Sequence, residues 1–414
     1  MKRYQYNQNH QIKKILKKRR ITNFSSFPDL NVAKIICLLG LSFTLCLISV
    51  GCSGQNNVED DIPDIEEPSA EDKESKLSFS DVTLEQADEN GKPVWKVKAK
   101  KAKYTRERQL AEVENPFGEL FQDGKVVYNV QADKADIIQD GKQLFLKGKI
   151  VATDPENGVV LRGNELEWRP QEDLLIVRNQ INGTHKQLQA TAKEARVKTR
   201  EQKVDFSGGV IAQSVEPQLK MRTEHLIWKI KEEILIGDRP MQIDRYKNNQ
   251  ITDRGRGDIT EINLKTKIAR ITKNGQIDLR EPPMRIASNS MTWNLNTETV
   301  ITNAPVKAVH QADNITVTAN RGRLQIPQRV VYLTGKVNAI GQNKQSIQSQ
   351  KLTWNLNGQT VDAQGSVVYK QQNPPLTLNG QTASGNLKAE TIVVKGGGSS
   401  KNRVVTEIVP QIPN

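Results

Sequence analysis

The sequence predicts an all-β chain: a solenoid-like stack of roughly 30-residue, two-strand repeats that follows an apolar N-terminal segment. Three observations carry this. First, four of the five tryptophans close one eight-residue phrase: Leu161-Arg-Gly-Asn-Glu-Leu166-Glu-Trp168, Met221-Arg-Thr-Glu-His-Leu226-Ile-Trp228, Ile286-Ala-Ser-Asn-Ser-Met291-Thr-Trp293 and Ile347-Gln-Ser-Gln-Lys-Leu352-Thr-Trp354. Weaker copies close at Tyr104, Ile137, Val197, Leu264, Leu324 and Leu387, so the ten closing positions lie 33, 31, 29, 31, 36, 29, 31, 30 and 33 residues apart. Second, Trp95, Val97 and Ala99, like Tyr128, Val130 and Ala132, fall two apart, the period of one strand face. Third, no long 3.6-residue periodicity follows the N-terminal region. Turn dipeptides punctuate the chain instead: Asn90-Gly91, Asp123-Gly124, Asp140-Gly141, Asn157-Gly158, Asn274-Gly275 and Asn357-Gly358.

Residues 1–34 form a basic region with nine Lys/Arg against Asp29, which places the N-terminus on the cytoplasmic side of a membrane. Residues 35–52 are a hydrophobic signal or anchor segment. Its run from Ile35 to Gly51 is uncharged and lies between the lengths of a signal peptide's apolar region and a full membrane span. Ser49-Val-Gly-Cys52-Ser resembles a bacterial lipobox with Ser49 where leucine is usual, which makes Cys52 a lipidation candidate. A cleaved, lipidated Cys52 and an uncleaved anchor both stand as readings. Either tethers the chain to a membrane, with the residues after the segment on the side away from the cytoplasm. Residues 53–76 carry nine Asp/Glu against Lys73 and Lys76 and read as an acidic, disordered linker.

The β region follows as two stretches, 77–250 and 251–395, and residues 396–414 with Gly396-Gly-Gly398 read as a flexible tail. Only 36% of the chain is hydrophobic, which favours a thin, elongated β structure over a thick double layer. Gly148, Gly208 and Gly335 sit inside strand patterns, where they mark bulges or bends. Within each tryptophan phrase the aliphatic phase slips by one residue before Leu166, Leu226, Met291 or Leu352, as a bulge or change of sheet would require.

Catalytic and metal chemistry find little support. The four histidines are scattered, all three cysteines lie in or beside the apolar segment, and no nucleotide or nucleophile motif is present. No cofactor or metal site is expected, and the chain does not read as an enzyme. Lysines and arginines are spread over every unit rather than gathered in a stripe, which argues against nucleic acid. On residue evidence the tryptophans fill either a solenoid core or an apolar groove lined by Trp95, Trp168, Trp228, Trp293, Trp354, Leu166, Leu226, Met291 and Leu352.

The run Lys125-Val-Val-Tyr-Asn-Val-Gln-Ala-Asp-Lys-Ala-Asp-Ile137, with Leu144-Phe-Leu-Lys-Gly-Lys-Ile-Val151 after it, resembles LptC, a periplasmic lipopolysaccharide-transport family anchored in the inner membrane. The likeness is best over Leu77–Ser214, and later units look like the related OstA-like repeats of LptA and LptD. The resemblance implies a twisted, V-shaped β-jellyroll, open along one side, with acyl chains on its inner faces. It further implies lipopolysaccharide as ligand, an LptB/LptF/LptG-type ABC transporter as donor, and an LptA- or LptD-like jellyroll joined by edge-strand pairing. Two alternatives stand beside it. A structural or adhesive envelope solenoid would have a dry, closed core. A polysaccharide-active β-helix would need clustered carboxylates.

Overall fold

The computed structural model describes residues 76–396, apart from 106–108, 139–140, 342, 387–388 and 390, together with the strand Val405–Ile408. The apolar segment, Cys52 and nearly all of the acidic linker lie outside the described residues. No helix among the described residues is long and apolar enough to cross a membrane.

Among the described residues twenty-eight strands form one elongated sheet, with one 3-10 turn at Pro170–Glu172. Every pairing among the described residues is antiparallel. Several short strands are halves of one bent strand. Leu110–Glu114 and Phe117–Gln122, for example, both pair with Pro93–Thr105. Counting each bent strand as one rung, the chain climbs by hairpins, and one sequence repeat is one hairpin. The boundary expected at 250/251 falls inside the strand Gln250–Gly257, which pairs with Met241–Lys247 before it and Ile268–Leu279 after it. Val405–Ile408, in the stretch expected to be a flexible tail, pairs with Leu376–Asn379.

The bend in each rung divides the sheet into two facing walls. Wall A holds the first half of rungs such as Leu219–Lys229, and wall B the second half. Gly148-Lys149, Asn179-Gln180, Gly208-Gly209, Lys273-Asn274, Gly335-Lys336 and Gly365-Ser366 are left-handed pairs at the bend, with φ between +42° and +82°. Each pair opposes a single residue on the next rung, which is a β-bulge. Elsewhere a proline marks the bend, at Pro116, Pro240 and Pro305. Asn274-Gly275 is therefore a bend inside the strand Ile268–Leu279 and not the expected hairpin turn. The Asn248-Asn249 turn, both residues left-handed, takes a hairpin position that the dipeptide signals missed.

The bulge also accounts for the phase slip. Leu161 faces inward before the bend and Leu166 and Trp168 after it, because the extra residue opposite restores the inward face. In wall B the closing residues fall into one cross-strand row. Tyr104, Ala111, Ile137, Leu144, Trp168, Leu175, Val197, Val204, Trp228, Leu235, Ile262, Ala269, Trp293, Val300, Leu324, Val331, Trp354 and Val361 follow one another by direct pairing or by flanking a shared partner. Ile262, not Leu264, occupies the row, which brings the irregular intervals of 36 and 29 residues to 34 and 31. The four row tryptophans recur every four rungs, with successive rungs about 4.8 Å apart.

Candidate functional site

The space between the walls is one continuous apolar interior. Its buried residues run as a single cluster from Trp95 to Ala383. Every residue expected to line a groove points into it. Trp168 and Trp293 are 0% exposed, Trp354 1%, Trp228 2% and Trp95 3%, while Leu166, Leu226, Met291 and Leu352 are at most 2% exposed. Trp168, Trp228, Trp293 and Trp354 share the wall B row, with Leu166, Leu226, Met291 and Leu352 two residues before each. Trp95 stands apart on wall A, where it pairs with Leu120. Its Nε1 donates across to the Gly141 carbonyl of wall B at 2.8 Å. The other four indole N–H groups have no acceptor among the described residues. Four buried donors without acceptors are a standing cost, because a buried N–H without a partner loses its hydration for nothing.

The side expected to be open is bridged. The turns that end wall A meet those that end wall B along most of the array, and these contacts join residues 43 to 77 positions apart. Gln122 bonds Asp173, and Asp123 pairs with Arg200 at 2.7 Å. The His185 ring covers Trp228 at 5.1 Å, and Glu216 pairs with Lys267 at 2.5 Å. Arg245 reaches Glu298 at 3.0 Å and the Leu295 carbonyl at 3.4 Å, and Lys247 joins the same carboxylate. Glu281 pairs with Arg329 at 2.6 Å, and the His310 ring meets Trp354 edge-on at 5.5 Å. The physical reason is geometric: each wall is only about half a rung wide, so long side chains on the turns can span the gap. Sequence reasoning missed this seam because its partners are non-local and belong to no repeat position.

Burial works against ionisation of Glu298, but its Lys247 and Arg245 partners outweigh it and hold the carboxyl below the usual range. Arg245 also pairs with Asp253 at 2.9 Å, and both are buried inside the walls. Next to them, the inward positions of the same rung are Gly255 and Gly257. A Cβ at Gly255 would lie 3.2 Å from Ile271 and 3.3 Å from Trp293, so wall and tryptophan pack closely there. This pair makes a polar waist in an otherwise apolar interior.

Past the His310–Trp354 contact the walls part. A cavity of about 240 Å³ opens there, lined by Ile315, Ile340, Ile347, Val361, Tyr369 and Ile392 among others. Among the described residues no group of His, Cys, Asp and Glu could hold a metal. His225, in the second tryptophan phrase, bonds Asp238 at 2.8 Å.

Burial against Trp228, with Lys186 adding to it, lowers the His185 pKa below 6.5. The ring is therefore neutral in the fold and charges more readily when unfolded. Its contribution to stability is complete above pH 6.5 and is lost as pH falls toward the folded-state value. His185→Gln is expected to flatten the decline of the melting temperature between pH 7 and 5. An unchanged slope would place the acid sensitivity elsewhere.

The model of the family described as "Lipopolysaccharide-assembly, LptC-related" matches three stretches of the chain, 43–175, 160–278 and 309–398. No curated protein matches the chain. The first two stretches share residues 160–175, half of one hairpin repeat, so the family unit is reused along a single ladder.

Proposed function

Because the chain belongs to the LptC-related family of lipopolysaccharide-assembly proteins, we propose that its two-walled sheet is a periplasmic conduit for lipopolysaccharide. The single observation that carries this is the apolar interior, which continues in register from Trp95 to Ala383 and opens into a cavity at its C-terminal end. A chain of acyl-sized length can stay out of water along such a path. The four indole donors without acceptors give an entering lipid's ester or amide oxygens something to bond. The family is one of transport rather than catalysis.

In this reading the anchor at residues 35–51, or a lipidated Cys52, holds the β region at the inner membrane. An LptB/LptF/LptG-type ABC transporter supplies lipid and energy, and an LptA- or LptD-like jellyroll receives it by pairing with an end strand. Among the described residues the edge strand Lys76–Ala87 has one strand neighbour, Pro93–Thr105, and its other side suits such a join.

A second reading is favoured by one fact, the tight packing of the interior. A purely structural envelope solenoid would look the same at positions that are 0–3% exposed. Photocrosslinking in cells separates the two. A crosslinking residue at Leu166, Leu226, Met291 or Leu352 is expected to give ATP-dependent lipopolysaccharide adducts, and one at exposed Lys231 none. A folded, abundant protein without adducts at any interior position would leave the structural reading.

A further inference from the structure

The interior is closed by packing and by the turn-to-turn seam, so a conduit of this shape must open along its side before a lipid can enter. We propose that three solvent-exposed ion pairs of the seam, Asp123–Arg200, Glu216–Lys267 and Glu281–Arg329, form an electrostatic latch that controls the entry of an anionic amphiphile. The inference rests on the conduit reading and names how that interior is regulated.

Three features point this way. The pairs are salt bridges of 2.7, 2.5 and 2.6 Å that cross between walls, not along one. They share one polarity, with each carboxylate on a wall A turn and each cation on a wall B turn. They are also exposed: the carboxylate side chains are 60, 75 and 77% accessible and those of the cations 58, 30 and 38%. Exposed pairs of this kind are weak and screened by salt, so they break at little cost, one hairpin at a time. Arg245–Glu298 differs in being half-buried and of reversed polarity, and it serves as a fixed post within the seam.

The common polarity has a chemical consequence. When wall A swings away with its carboxylates, Lys267 and Arg329 lose their partners on the wall B rim, while Arg200 keeps Asp173 at 2.7 Å beside it. An acyl chain lying between the walls carries its headgroup at that rim. A phosphate or carboxylate there takes over the cations that Glu216 and Glu281 release and fills the place of Asp123 on Arg200, so the charge lost on opening is regained on loading. A neutral amphiphile gains nothing from the exchange. Arginine suits the role because its fork binds oxyanions in two-point fashion.

The test uses the full chain in lipid nanodiscs and two probes, cis-parinaric acid and a neutral alkyl analogue of equal length, with energy transfer from the tryptophans as readout. Glu216→Lys with Glu281→Lys is expected to raise the parinarate uptake rate several-fold and to remove its dependence on salt. The swap Glu281→Arg with Arg329→Glu keeps a closed pair, so it is expected to keep the wild-type rate for the neutral probe and serves as the folding control. A disulfide between Glu216→Cys and Lys267→Cys is expected to slow uptake at least tenfold, reversibly with reductant. Arg200→Gln with Lys267→Gln and Arg329→Gln should lose the preference for the anionic probe. If wild type takes up probe at a rate that no charge variant, salt or disulfide changes, the latch is overturned and the conduit stands. If no variant takes up either probe while near-ultraviolet dichroism shows a folded protein, both fall.

Discussion

Replacing Arg245 with methionine is expected to destabilise the fold by about 3–5 kcal/mol, the usual cost of breaking a buried ion pair from one side. The guanidinium and its Asp253 partner have side chains only 7% and 5% exposed. Removing the cation strands the carboxylate between the walls with one hydroxyl bond, from Thr252 at 2.8 Å. The methionine keeps the bulk, so the loss reports charge and not a cavity. Urea unfolding of the full chain measures it, and the double variant Arg245→Met with Asp253→Leu should recover most of it. Amide exchange should localise the damage to the hairpins Met241–Lys247 and Gln250–Gly257, since each unit of a repeat array leans mainly on its neighbours. A single variant within 1 kcal/mol of wild type would mean that water reaches the pair, against the closed waist described above.

Trp293→Ala is expected to cost a similar 3–5 kcal/mol, for a different reason. The indole is 0% exposed and lies over Gly255, where the opposite wall has no side chain to move into the space. The hole cannot collapse, because both walls are fixed by their own ladders. Trp293→Phe should cost much less. It keeps most of the ring and deletes an N–H that finds no acceptor, an orphan group whose burial itself costs about 1–3 kcal/mol. If phenylalanine proves as damaging as alanine, the indole nitrogen has a partner after all, and the support that these donors lend to lipid binding is lost. The same pair of variants at Trp354 should show smaller differences, because the cavity beside that end gives the walls room to adjust.

Much of this architecture was legible in the residues themselves. The closing tryptophans fall in one row because a hairpin of two bent rungs fixes the period. A residue repeated at that period must meet its copies across the sheet. The inward set of Leu166, Leu226, Met291 and Leu352 followed from the alternation of strand faces, and the phase slip ahead of them correctly announced a bulge. Gly148, Gly208 and Gly335 announced three bends because only a special backbone explains glycine in an apolar strand. The bends at Asn179-Gln180 and Lys273-Asn274 gave no such signal, since ordinary side chains accept the left-handed region when neighbouring rungs impose it. That is why Asn274-Gly275 looked like a hairpin turn.

What the sequence determined alone was therefore local and periodic: an all-β ladder, its repeat length, the inward face of each strand and the likeness to LptC. Those follow from hydrogen-bonding geometry and from patterns a few residues long. Only the tertiary structure decided how the two walls face each other. The sealed mouth, the buried Arg245–Asp253 waist and the C-terminal opening depend on pairs of residues separated by up to 77 positions or on the spacing between walls. Their contact is set by the bend angle of every rung between them, a sum over the fold that no single repeat contains.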